Sequence, residues 1–309
     1  MAHFSLATLV CSRAVYGIQL GRKPRLRLKL HPMRKSYKKP MRAKKSLGQH
    51  FLTSPEALEK IVRTADLRSS DVILEVGPGK GILTAVLLQR VARVIAVEKD
   101  HRLIPPLARM FARQIKERRL VLLHDDIIEF NLRAHGLSPG KYKVVANIPY
   151  YITGVFLRRF LSSKEHPESM TLLVQKEVAD RIIARDKKES LLSIGVKAFG
   201  TPNYIGTVRA GSFSPPPKVD SAILSITNIS KSQFKNVDER DFFEILHAGF
   251  AHKRKQLSKN LALSFRNTVS PEQACLSCAV SPRARAEDLS FEIWKCLARY
   301  LKRNRERIT

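Results

Sequence analysis

The sequence predicts an α/β fold: a mostly parallel sheet covered by helices on both faces, followed by a small all-helical C-terminal domain. Three observations predict it. Short apolar runs alternate with helical apolar spacing between residues 72 and 174. Past about residue 230 the strand pattern stops and only helical spacing remains. The 309 residues are 44% hydrophobic, enough for one large and one small domain, each with its own core.

Ser54-Pro55-Glu56 predicts the first helix, with Ser as N-cap, Pro at the first helical position and Glu near the positive end of the dipole. Leu58, Ile61 and Val62 give it an apolar face. Residues 72–76 (VILEV) read as a short buried strand, followed by a glycine turn and a helix over 82–90. A second strand at 94–97 leads to a helix around 103–115, and a third strand lies at 120–123. A fourth at 144–146 precedes a helix over 155–161, and a fifth lies at 171–174. Repeated apolar strands with helical crossovers give a parallel sheet buried on both faces. Residues 204–208 and 222–226 add two strands close in sequence, which predicts an antiparallel edge. Residues 241–250, 255–265, 271–278 and 286–300 have helical spacing. The organisation predicted is a basic, disordered extension (1–43), an α/β domain (44–230) and a helical domain (231–309).

Charge narrows the partners. Lys and Arg number 56 against 27 acids, a formal +29. Residues 1–55 hold 13 Lys or Arg and no acid, and residues 231–309 carry a further surplus of seven. A surplus of nine is left on the middle of the chain, so the folded part is basic too. Nucleic acid is the polyanionic partner this implies.

The four cysteines are sparse, which suits a reducing compartment. Cys275 and Cys278 form a lone CxxC with no second pair and no His at zinc spacing, so they read as packing and no metal site is expected. No apolar run approaches the ~20 residues that span a bilayer, so no membrane is expected. Residues 1–40 are Arg-rich and acid-free: they fit a mitochondrial transit peptide, a disordered basic arm, or sequence upstream of a true start at Met33 or Met41.

Four motifs carry chemistry. Glu75-Val76-Gly77-Pro78-Gly79-Lys80-Gly81 makes a glycine turn between strand and helix, where a ligand can approach the backbone closely. Its GxGxG spacing departs from the GxGxxG dinucleotide fingerprint. Glu98 ends the second strand, 21 residues after Gly77, where an acid accepts both hydroxyls of a ribose. Asp126, with Asp125 as its rival, lies just past the third strand, where a carboxylate can accept the exocyclic amine of a bound adenine. Asn147-Ile148-Pro149-Tyr150 follows the fourth strand, at the strand ends where open α/β sheets bind ligands. The Asn147 amide oxygen and the Ile148 carbonyl can each accept one N–H of an adenine amine. That pulls the lone pair out of conjugation and makes the nitrogen a better nucleophile. Tyr150 offers a stacking face.

With these motifs on the page, the chain resembles the small-subunit ribosomal RNA adenine-N6,N6-dimethyltransferase family (KsgA type). The resemblance covers about residues 44–302: GQHFL (48–52), EVGPGKGILT (75–84), VEKD (97–100), DIIEF (126–130), NIPYYIT (147–153), FSPPPKVDS (213–221), RKQLSKNL (254–261) and RAEDLS (285–290). It implies a class I (Rossmann-like) methyltransferase domain with a helical C-terminal lobe. It also implies methyl transfer from S-adenosylmethionine to two adjacent adenines near the 3′ end of small-subunit rRNA. His50, Leu52, Gly77, Glu98, Asp126 and Asn147 would line the cofactor site; Asn147 and Tyr150 would hold the target adenine, with Phe213 stacking from the other side. His50 stands where the family usually has Asn. The resemblance further implies a monomer that acts on a pre-ribosomal small subunit in the cytoplasm, or in the mitochondrial matrix if residues 1–40 are a transit peptide. A large-subunit rRNA dimethylase of the resistance type shares NxPY-like motifs, and a homologue acting in assembly or transcription shares the scaffold; RKQLSKNL and RAEDLS favour the small-subunit enzyme.

Overall fold

The structure is a computed structural model that describes residues 43–44, 47–265 and 270–305. The expectations placed on residues 1–42 lie outside the described residues. The chain runs β1 (Phe51–Leu52), α1 (Pro55–Thr64), β2 (Val72–Val76), α2 (Ile82–Leu87), β3 (Arg93–Glu98), α3 (Ile104–Met110), α4 (Ala112–Lys116), β4 (Leu120–His124) and β5 (Lys143–Asn147). It continues through α5 (Thr153–Ser162), β6 (Ser169–Gln175), α6 (Lys176–Ile183), α7 (Leu191–Lys197), β7 (Thr201–Val208), β8 (Phe213–Ser214) and β9 (Ser221–Thr227). Four helices follow: α8 (Glu239–Gly249), α9 (Leu257–Phe265), α10 (Pro271–Ser277) and α11 (Phe291–Arg305).

Seven strands form one sheet in the order β4-β3-β2-β5-β6-β9-β7. β4, β3, β2, β5 and β6 are parallel, and β9 is antiparallel to both of its neighbours. Alternation sorts the side chains into two layers. Leu74, Ile95, Val144 and Leu172 pack on one face with Phe156 and Phe160 of α5. Ile73, Val94, Val145 and Leu173 pack on the other with α1, α2 and α3. Successive strands build outward in opposite directions from β2 and β5. Their adjacent C-terminal ends are therefore the switch point at which such sheets take ligands.

The first helix forms as the sequence predicts: Ser54 caps it, accepting from the Ala57 amide at 3.2 Å, and Leu58, Ile61 and Val62 are buried. Other elements differ. The helix expected over 103–115 is a 3-10 turn plus α3 and α4, broken at Phe111. The last two strands do pair antiparallel at one edge of the sheet, with β7 outermost and β9 between it and β6. Helices α6 and α7 and the two-residue ribbon β1–β8 were not anticipated.

The helical segment does not have a core of its own. Its Phe242, Leu246 and Trp294 belong to the same apolar cluster as Val144 and Leu172 in the sheet. The join is aromatic: Phe199, at the end of α7, lies 5.2 Å from Phe234 and 5.8 Å from Phe243, centroid to centroid. The apolar face of α8 is wide enough to cover α7 as well as α11. Cys275 and Cys278 are buried, as expected for packing, but Cys278 is disulfide-bonded to Cys296, a pairing that sequence spacing did not suggest. Cys275 is a free thiol.

Candidate active site

A cavity of about 110 Å³ opens at the C-terminal ends of β2, β3 and β5. Its wall includes His50, Gly77, Glu98, Asp126, Asn147 and Tyr150, so six of the eight residues predicted for the site converge there. Asp125 is on the wall too.

The glycine turn connects β2 to α2. Gly77 has φ +67°, and its amide donates to the Val97 carbonyl at 2.9 Å, which holds the turn against β3. Gly81 caps α2 with φ +79°, and a Cβ there would sit 2.8 Å from the Phe111 ring. A side chain at Gly81 would therefore push α3 away. Glu98 is 5% exposed. Its Oε2 accepts from the Gly79 amide at 3.1 Å and its Oε1 from the Asp100 amide at 2.9 Å, so the acid both shapes the turn and faces the cavity. A carboxylate has about four acceptor positions, which leaves room for ribose hydroxyls. Burial pushes the Glu98 carboxyl up, and those amides oppose it.

Asp126 accepts from Lys99 Nζ at 2.6 Å and from the Ile128 amide at 3.0 Å. Burial acts to raise its pKa, but Lys99 and the amide outweigh it and hold the carboxyl below its ordinary value. Asp125 turns its Oδ1 onto the Asp126 amide at 2.7 Å, the local capping role common for Asp.

Asn147 Nδ2 donates to the His50 carbonyl at 2.9 Å. That bond fixes the amide's orientation, since a carbonyl can only accept, and leaves Oδ1 as a free acceptor at the cavity wall. His50 Nδ1 lies 2.8 Å from the Pro215 carbonyl, so Nδ1 carries a proton. The ring's neutral form has spent its one donor on Pro215, and its Nε2 accepts. The imidazole therefore spends that donor within the chain. Tyr150 donates to, or accepts from, Ser221 Oγ at 2.6 Å, and burial raises its pKa. The His50 and Tyr150 rings are 6.1 Å apart and 21° from parallel.

Leu52 and Phe213 are not on the cavity wall. They are cross-strand partners in the β1–β8 ribbon, so both face the same side. Phe213 is 4% exposed and packs in the cluster that holds Leu58 and Ile61.

Three residues escaped the sequence reading. Glu75, next to last in β2, is fully buried, and neither of its oxygens has a hydrogen-bond partner. Burial pushes its pKa from 4.5 up to about 8; the Glu98 charge adds to this, and the nearby Thr84 opposes it without forming a bond of normal geometry. Gln49 donates to Asp100 at 2.8 Å, and Asp100 in turn receives Arg102 through two bonds of 2.8 and 2.6 Å. The Arg102 guanidinium, with burial opposing it and Gln49 assisting, holds the Asp100 carboxyl well below the usual range. These residues pin the segment that carries His50. The signal lay in the same motifs, GQHFL and VEKD, whose other letters drew the attention. Among the described residues no group of three or more His, Cys, Asp or Glu is placed to hold a metal ion.

The chain is similar to known proteins along nearly all of its described length. The sequence profile described as ribosomal RNA adenine dimethylase matches residues 41–303. A protein named ribosomal RNA small subunit methyltransferase A from Dehalococcoides mccartyi is 43% identical over 258 residues, 83% of this chain and 88% of that protein. The crystal structure of a dimethyladenosine transferase from Plasmodium falciparum matches with a TM-score of 0.69 at 26% identity, covering 82% of this chain and 98% of the other. That of the 23S rRNA methyltransferase ErmE matches at 0.67 and 24% identity over 82% and 99%, a likeness of fold alone.

Proposed function

Because the chain belongs to the ribosomal RNA adenine dimethylase family, we propose that this cavity carries methyl transfer to the N6 amines of two adjacent adenines near the 3′ end of small-subunit rRNA. The enzyme is an S-adenosylmethionine-dependent rRNA adenine-N6,N6-dimethyltransferase on a Rossmann-like fold. The residues present fit the cofactor: a glycine cradle at a helix start, a buried acid at the end of β3 and a second acid past β4. When bound, S-adenosylmethionine supplies an activated methyl carbon, which passes to the amine nitrogen while sulfur keeps the bonding pair.

The chain's own residues hold and orient. Glu98 would take the ribose hydroxyls, Asp126 the adenine amine, and Gly77 would let the nucleoside lie against the backbone. Asn147 Oδ1 would accept one N–H of the target amine, and Tyr150 would stack on its base, which must leave its helix to enter. The target amine is a neutral nucleophile that loses its proton to solvent after attack, so no side chain need act as general base. Positioning and exclusion of water supply the acceleration. The observation that carries this assignment is the Asn147 amide, anchored through Nδ2 with its oxygen left to the cavity.

We further propose that the protein acts as a monomer on a pre-ribosomal small subunit, with the helical segment 231–309 contributing to RNA contact, and that it works in the cytoplasm. No described helix is long and apolar enough to cross a membrane. Primer extension across the 3′ end of small-subunit rRNA, with and without the protein, tests the reading. Dimethylated N6 cannot pair, so two adjacent stops are expected. Stops in large-subunit rRNA, or none, would overturn it.

A further inference from the structure

Helix α5 begins at the mouth of the cavity. Its exposed side carries Tyr151, just before the helix, then Gly154, Val155 and Arg158, at the spacing of one helical face. Tyr151 is 61% exposed and Val155 56%, which makes them two of the most exposed large apolar side chains among the described residues. The Tyr151 ring lies beside Gly48, where an added Cβ would come 3.5 Å from it. Arg158 is exposed, and its charge acts on His247 of α8.

Gly154 is the second observation. Its φ is not in the left-handed region, and a Cβ there would meet nothing within 4 Å. Neither backbone conformation nor internal packing needs a glycine here, and glycine within a helix is less favourable than Ala. The missing side chain leaves the helix backbone open to close approach from outside. The stripe also has a direction. Tyr151 lines the target cavity, whereas Gly154 and Arg158 line a larger one of about 980 Å³ between α5, α6, α7 and α8. α5 thus connects the site to the interdomain groove.

Resting on the function proposed above, we infer that this stripe is the track for the rRNA strand flanking the target adenine: the neighbouring base stacks on Tyr151 and Val155, the sugar–phosphate passes over Gly154, and Arg158 meets a phosphate. The chemistry matches the neighbour. In one of the two registers the base on this track is the other adenine, either unmodified or already dimethylated. A dimethylated amine has no N–H to donate, and an apolar ring-and-valine platform accepts both forms because stacking does not read hydrogen-bonding edges.

The test uses the full chain and undermethylated small subunits, with methyl groups counted separately on each adenine by mass spectrometry. Tyr151→Ala should lower kcat/KM about tenfold, as loss of one base–aromatic stack does, and should accumulate product methylated on one adenine only. Tyr151→Phe, which keeps the ring, should restore both. Gly154→Leu should raise KM for the subunit about tenfold while calorimetric affinity for S-adenosylmethionine is unchanged. Arg158→Gln should reduce the slope of log affinity against log salt by about one. Wild-type kcat/KM and product distribution in Tyr151→Ala and Gly154→Leu would overturn the track. A wild-type protein that leaves the subunit unmethylated would instead overturn the function on which the track rests.

Discussion

Replacing Asn147 with Ala separates catalysis from cofactor binding. The side chain makes one neutral hydrogen bond, 2.9 Å to the His50 carbonyl, at a half-buried position. Such a bond contributes about 1 kcal/mol net, so its loss alone should cost the folded state about that much and loosen the His50 segment slightly. The larger effect falls on the reaction. The free Oδ1 meets the target amine as that nitrogen turns from planar toward tetrahedral, so its bond strengthens in the transition state. Removing one aligned group of this kind typically costs about 10²–10³ in rate. The anchoring of Glu98 and Asp126 involves Gly79, Asp100, Lys99 and Ile128, none of which touches Asn147 through a bond described above. Cofactor affinity should therefore fall by no more than a few-fold. Single-turnover methylation of undermethylated small subunits, run beside a calorimetric titration with S-adenosylmethionine, reads both quantities. Asn147→Asp should also be slow, because it keeps an acceptor but can no longer donate to His50. A near wild-type rate in Asn147→Ala would refute the reasoning and leave NIPY a structural turn. Equal losses in rate and affinity would make Asn147 a cofactor-site residue only.

Three further outcomes are expected. Glu98→Gln should weaken cofactor binding about tenfold or more by calorimetry, since a charge-assisted bond contributes roughly 1.5–3 kcal/mol; Glu98→Ala should in addition lower stability, because it strips the Gly79 and Asp100 amides of their acceptor. Glu75 keeps its proton in the folded chain up to about pH 8, whereas the unfolded chain loses it near 4.5. Stability on this account is fullest below pH 4.5 and falls as pH rises to 8, by up to roughly 1.4 kcal/mol per pH unit. Denaturant unfolding at pH 5, 7 and 8.5 should show Glu75→Gln gaining on wild type with pH, and parallel curves would exclude the effect. Binding to the small subunit should weaken steeply with salt, given the basic surplus outside residues 1–55; a flat plot of log affinity against log salt would mean that this charge does not contact phosphate.

The strands that hold the cavity were legible because burial on both faces leaves little but Val, Ile and Leu in each run, as in VILEV and KVVAN. Gly77, Glu98, Asp126 and Asn147 were legible because each falls at or just past the end of a strand, whereas His50 came from the resemblance alone. Leu52 and Phe213 meet in a two-residue ribbon that joins segments about 160 residues apart, a contact that no spacing reveals. Helix α6 was missed because four of its eight residues are charged, which masks the apolar pair Ala179 and Ile182. The antiparallel pair was read as adjacent, which is correct, but pairing between neighbours in sequence cannot say which member lies inside the sheet. The lack of partners at Glu75 is a property of the packed interior and leaves no mark in the spacing.

The order β6-β9-β7 sets a timetable for synthesis. β7 leaves the ribosome before β9 yet docks outside it, so β7 has no sheet edge to join until residues 221–227 have emerged. The same wait applies to the cavity wall: His50 is tethered to Pro215, Thr53 to Ser212, and Tyr150 to Ser221. A nascent chain lacking this stretch has its glycine turn and its acids but no closed wall. Catalytic competence therefore arrives late, when the last strand slots in beside β6.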